Sequence, residues 1–153
     1  MKKIPLLLFV AAVFTFLSCT KDEKDTDKAE FEARTKVYTL NAVSDVDISG
    51  TATFTEKEDG STTILLSLNN SNNDVHPAHI HMNNVATTGP VAITLVSIEC
   101  NCEESTTEVS KLDDGTAITF DELITFDGYI NVHQSANALE TIIAQGNIGI
   151  NAN

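Results

Sequence analysis

All four histidines of the chain fall in two short segments, His76-Pro77-Ala78-His79-Ile80-His81-Met82 and Tyr129-Ile130-Asn131-Val132-His133. Neutral imidazole is the commonest side-chain ligand of transition metals. If the first segment is a strand, Ala78, Ile80 and Met82 share one face and His79 and His81 the other. The apolar set belongs to the core, which sends the two imidazoles together away from it. Their Cβ atoms are then roughly 7 Å apart, a separation that lets both rings converge on one ion. The second segment has the same parity, with Ile130 and Val132 inward and Asn131 and His133 outward. Should the two strands lie side by side, His79, His81 and His133, with His76 as a fourth candidate, could hold copper or zinc. The competing reading is a polar cluster without an ion, its histidines exposed or hydrogen-bonded to loops. The distance from His133 to the His79–His81 pair decides between the two readings.

These segments need strands to position them, and from Lys36 onward the pattern has a period of two. Tyr38, Leu40 and Ala42 alternate with Thr39 and Asn41, and Ala52 and Phe54 with Thr51, Thr53 and Thr55. Asp59-Gly60 is a hairpin signal, after which Ile64, Leu66 and Leu68 face one way. Val91, Ile93 and Leu95 follow Gly89-Pro90, and Tyr129–His133 and Thr141–Ile148 supply two more strands. Only Phe120–Phe126 reads as helical, with Phe120, Leu123, Ile124 and Phe126 available for one face. The abundance of Thr, Val, Ile and Asn suits pleated, half-buried surfaces and turns. An all-β, antiparallel Greek-key-type sandwich with one short helical segment is expected.

The first residues set the compartment. Lys2 and Lys3 precede an almost unbroken apolar run from Leu6 to Phe16, which reads as a secretory leader too short for a comfortable membrane span. Phe16-Leu17-Ser18-Cys19 then resembles the lipobox of bacterial lipoproteins, although Leu is commoner where Phe16 stands. The division expected is residues 1–18 as signal peptide, residues 19–35 as an acidic tether beginning at lipidated Cys19, and residues 36–153 as the folded domain. Acyl chains contribute roughly 0.8 kcal/mol per buried CH₂, so several on one cysteine anchor the chain to a membrane. Thr20 to Arg34 alternates Lys with Asp and Glu and holds too little apolar surface to offset its ordering entropy. An acidic stretch after such a cysteine also resembles the export signal of surface lipoproteins. The outer membrane, with exposure at the cell surface, is the location this implies.

Charge excludes one class of partner. Twenty-two acidic residues against nine basic ones give a net charge of −13, and removal of Lys2 and Lys3 makes it more negative. No basic stripe offsets this, so nucleic acid is not a partner. Two further motifs carry less. Asp45-Val46-Asp47-Ile48-Ser49-Gly50 with Glu56 fits the EF-hand loop pattern, but strand-like sequence flanks it where helices are required. A weak β-loop calcium site through Asp45 and Asp47 is what the motif leaves. Cys100-Asn101-Cys102 could close a short, strained disulfide in an oxidising compartment. Free thiols and soft metal ligands are the alternatives. No serine–histidine–acid arrangement or phosphate loop stands out, and no catalytic residue is assigned.

Ser49-Gly50-Thr51-Ala52-Thr53, Ala78-His79-Ile80-His81, Tyr129-Ile130-Asn131-Val132-His133 and Ile143-Ala144-Gln145-Gly146-Asn147-Ile148 occur in the order seen in CHRD domains. These modules are named after chordin and occur in many bacterial exported proteins. The resemblance spans roughly Lys36 to Ile150, and the two histidine segments are its specific elements. Many members close on a strand like Gly-Glu-Ile-Arg-Gly-Gln; Thr141-Ile142-Ile143-Ala144-Gln145-Gly146 lacks that Glu and Arg. The resemblance implies a β-sandwich without established catalytic activity. In animal chordin such modules sit in an extracellular binder of growth factors, a role that fold alone does not transfer.

The paired histidines also look like the copper-binding strand of Cu,Zn superoxide dismutases, so the sandwich could be immunoglobulin-like or dismutase-like. A dismutase needs copper ligands, a zinc subsite and a cation that guides superoxide. Four histidines and a lone arginine, Arg34, supply too little. The first reading is therefore a non-enzymatic, lipid-anchored module that binds a protein or glycan or serves envelope structure, with no cofactor assigned. The second is a copper- or zinc-binding sandwich, and an oxidoreductase built on that site comes third.

Overall fold

The computed structural model describes residues 30–43, 47–71, 74–99 and 103–152. The chain divides into Met1–Glu30 and Phe31–Asn153, and the architecture below is that of the second unit. The leader, Cys19, most of the tether, Asp45, Cys100 and Cys102 lie outside the described residues.

Eight antiparallel strands carry the fold: β1 (Thr35–Ala42), β2 (Ser49–Glu56), β3 (Thr62–Asn69), β4 (His76–Met82), β5 (Val91–Ile98), β6 (Glu104–Val109), β7 (Asp127–Ser135) and β8 (Ala138–Gly149). They follow the order β5-β4-β7-β8-β1-β2-β3-β6. The β1–β8 junction is narrow among the described residues, with Asn41 opposite Gln145, Ala42 opposite Ala144 and a further bond from the Val43 N–H to the Ile143 carbonyl. A Cβ on Gly146 would sit 2.1 Å from the Thr39 carbonyl oxygen, so this seam closes only over a residue without a side chain. On either side of it stand two four-stranded faces, β1-β2-β3-β6 and β5-β4-β7-β8. Placing β6 beside β3 and β7 beside β4 makes the connections Greek-key, as the strand pattern predicts.

Alternation explains the core. In β2 the order Thr51-Ala52-Thr53-Phe54-Thr55 buries Ala52 and Phe54 and leaves the threonines half-buried. In β3, Ile64, Leu66 and Leu68 turn inward to meet them. From the opposite layer come Ala78, Ile80, Ile130 and Val132, all at 1% exposure or less. Each large aliphatic side chain so buried contributes about 1.5–3 kcal/mol, and this burial fixes which way β4 and β7 face. The helix is shorter than expected: α1 spans Phe120–Leu123, held by a capping box in which Thr119 and Glu122 exchange bonds. Phe120 and Leu123 are buried beneath it as the sequence predicts.

Three local expectations change. Val91 is exposed because the β4–β5 register slips between Ile80 and His81, turning Val91 out of line with Ile93. Met82, at the strand end, is 37% exposed. Arg34 leaves the solvated tether. Its guanidinium pairs with Glu56 and Asp121 at 2.6 and 2.7 Å and lies over the Phe120 ring, 5.0 Å from the centroid. The EF-hand-like motif holds no such loop here, since Ser49–Glu56 is the extended strand β2.

Candidate metal centre

The central pairing is that of β4 with β7. Ala78 lies opposite Val132, His79 opposite Asn131, Ile80 opposite Ile130 and His81 opposite Tyr129. Burial of Ala78, Ile80, Ile130 and Val132 in the core therefore places His79, His81, Tyr129, Asn131 and His133 together on the other face. That face is outward but covered. Tyr129, Asn131 and His133 are 3%, 8% and 6% exposed, and the segment joining β4 to β5 lies against it. Within that segment the Gly89 N–H donates to the Tyr129 hydroxyl at 3.3 Å, and the Val85 N–H donates to Asn147 Oδ1 at 3.0 Å.

The three imidazoles converge. His79 Nδ1 lies 3.0 Å from His133 Nε2, and one nitrogen from each of His79, His81 and His133 lies within 4.8 Å of the others. Two nitrogens about 2.0–2.1 Å from one tetrahedral ion are themselves roughly 3.4 Å apart, so closing the group on an ion asks for an adjustment of about 1 Å. The His81 ring stacks on Tyr129, with centroids 5.0 Å apart and planes 19° from parallel.

Backbone carbonyls set the tautomers. His81 Nδ1 is 2.9 Å from the Gly89 carbonyl, and His133 Nδ1 sits against the Leu139 carbonyl. A carbonyl can only accept, so both rings carry their proton on Nδ1 and present an Nε2 lone pair. Among the described residues, His81 Nε2 is buried without a hydrogen-bond partner, as is Asn131 Oδ1. An orphaned buried lone pair is costly unless something occupies it. His81 belongs to a group of three imidazoles with ring nitrogens within 4.8 Å of one another, so a soft or borderline cation is a fitting occupant and the residues present fit copper or zinc.

Burial favours the neutral form of His79 and His133. Burial, then the neighbouring His133 and His81, push His79 below the usual imidazole range, and Asp113 opposes this weakly. Burial likewise lowers His133, against a raising effect of the Leu139 carbonyl and with a further lowering from His81. Neutral imidazole is the ligating form.

His76 does not join the group. It shares the core face with Ala78 and Ile80 and is fully buried. Strand parity requires this, since 76, 78 and 80 are even steps apart. Its Nδ1 lies 3.1 Å from the His133 carbonyl and 2.8 Å from that of Gln134, at the irregular stretch where the β7–β8 register shifts around His133. His76 thus grips, from inside, the backbone that carries His133 on the outside. Three contributors escape the spacing argument. Tyr129 could have been read from the parity it shares with Asn131 and His133, whereas the carbonyls of Gly89 and Leu139 leave no side-chain signal.

A family model described as the CHRD domain matches residues 32–142, a span that includes all four histidines. No curated protein and no solved structure matches the chain.

Proposed function

The chain belongs to the CHRD domain family, and on that premise we propose that it is a non-catalytic, lipid-anchored envelope module. In this reading it binds one copper or zinc ion through His79, His81 and His133. The convergence of three imidazoles, two of them tied through Nδ1 to backbone carbonyls so that Nε2 is left as the lone pair, carries the metal reading. His76 faces the core, so the remaining histidine cannot build a second subsite of the kind a dismutase needs. The anchor rests on the sequence alone: the leader, Ser18-Cys19 and the acidic stretch after it. These features support attachment by acyl chains on Cys19 and residence at the outer membrane, facing outward. The bound ion would organise the covered face formed by Tyr129, Asn131 and the 83–90 segment, and a protein or glycan is the class of ligand proposed for the module as a whole.

Two experiments test this. Elemental analysis of the full chain, loaded with Cu(II) or Zn(II) and dialysed, should find one ion per chain, and the His79→Ala/His81→Ala double variant should bind none. Absence of stoichiometric metal in the unaltered chain would overturn the metal reading. Fatty-acid labelling in a bacterial host should mark the chain and fail to mark Cys19→Ser. Equal labelling of both would remove the anchor.

A further inference from the structure

The three imidazoles are not equivalent, and the difference lies in how each ring is tied. His81 and His133 each give their Nδ1 proton to a backbone carbonyl, of Gly89 and Leu139 respectively. Neither ring has to change tautomer to offer Nε2 to an ion. His79 has no such tie among the described residues. Its hydrogen-bond partner is His133 Nε2, at 3.0 Å from its own Nδ1. Since His133 already carries its proton on Nδ1, its Nε2 can only accept, and the proton of that bond must sit on His79 Nδ1. The metal-free site is therefore capped by one of its own members. His79 donates into the lone pair that His133 would offer an ion.

An entering ion must break that bond. His81 and His133 stay as they are, while His79 has to present a lone pair, either by moving its proton from Nδ1 to Nε2 or by turning the ring. His79 and His81 are both half-buried where His133 is 6% exposed, so it is the missing carbonyl tie that sets His79 apart. Resting on the metal-binding reading above, we infer that His79 is the exchangeable ligand of the site. It is the side chain through which an ion enters and leaves, and His81 and His133 form a fixed pair. Such a site gives up its ion to a competing ligand when one side chain swings, without opening the sheet. It suits the capture and hand-over of a metal rather than its permanent burial.

The test follows the three rings in the full chain with Zn(II) as the probe. Nitrogen-15 spectra of labelled histidine should show Nδ1–H on His81 and His133 both before and after zinc. His79 should change, either in its protonated nitrogen or in its ring orientation. Release of zinc to an excess of chelator should be about 10-fold faster or more in His79→Ala than in the unaltered chain, with binding still measurable. His81→Ala and His133→Ala should lose stoichiometric binding. His79→Gln, which keeps a polar side chain without an imidazole, should follow His79→Ala and guards against a folding artefact. If His79 stays fixed while His81 or His133 changes tautomer, the inference falls. Release at the unaltered rate in both His79 variants overturns it too, as does abolished binding in both with their fold intact. No zinc uptake by the unaltered chain is a different failure and contradicts the metal-binding reading itself.

Discussion

Strand β4 carries histidines on both its faces, and the two faces put the same side chain to different uses. On the core side, His76 is fully buried with one nitrogen shared between two carbonyls of β7 and the other without a partner among the described residues. It works as a brace. On the outer side, His79 and His81 meet His133, with one nitrogen from each ring within 4.8 Å of the others. The comparison teaches that residue type does not make a ligand. His76 also has carbonyls at Nδ1, so what separates it from His79, His81 and His133 is the face: only theirs brings several imidazoles together.

The largest effect separating the two faces should come from His133→Ala. Loss of an anchored ligand is expected to weaken metal binding by more than about 100-fold, beyond the usual cost of losing an outer-sphere partner. It should leave the metal-free fold nearly unchanged. Calorimetric titration with Zn(II), alongside denaturant unfolding of the metal-free chain, checks both halves.

His76→Ala should show the reverse. Removing a buried ring leaves a cavity and two carbonyls without their donor, at a cost of about 2–4 kcal/mol of stability. Metal affinity should fall by roughly tenfold at most, through the slackened backbone at His133. Were His76→Ala to abolish metal binding while sparing stability, the two faces would have been assigned the wrong way round.

Gly89→Ala probes the acceptor behind His81. An added Cβ would lie 2.1 Å from the Met82 carbonyl oxygen, so the segment must shift and carry the Gly89 carbonyl with it. Metal affinity should drop about 10-fold while the core is spared. A smaller effect still is expected of Arg34→Gln, which lies away from the histidines altogether. Arg34 holds the carboxyls of Glu56 and Asp121 below their usual range. A carboxyl depressed in the folded state stabilises fully above its unfolded pKa, about 4, and loses that contribution as pH falls through the folded value. The unaltered chain should therefore be slightly the more stable at neutral pH, and the two curves should merge in acid. These exposed pairs contribute little, and metal binding should not change. Thermal unfolding across pH measures the difference.

Much of this contrast was legible in the sequence, because side-chain parity is a local property. Ala78 and Ile80 inward meant His79 and His81 outward, and the same held for Ile130 and Val132 against Asn131 and His133. The same rule, applied two residues earlier, already puts His76 with Ala78. Reading it as a fourth ligand set the histidine count above the alternation. The pairing of β4 with β7 was not legible, since it joins segments some fifty residues apart through a Greek-key crossover. Nor was β6, where Glu-Ser-Thr-Thr-Glu-Val gives no apolar alternation. That strand lies at the end of its face and buries only Ser105 and Val109. Charge patterning alone left Arg34 in solvent, because its partners Glu56 and Asp121 lie far along the chain.

X-ray absorption at the metal edge of the zinc-loaded full chain reads the ligand set itself. A first shell with three imidazole nitrogens at about 2.0–2.1 Å, reduced in number by His133→Ala and unaltered by His76→Phe, is the expected result. A shell of oxygens alone, or one indifferent to His133, would contradict the account.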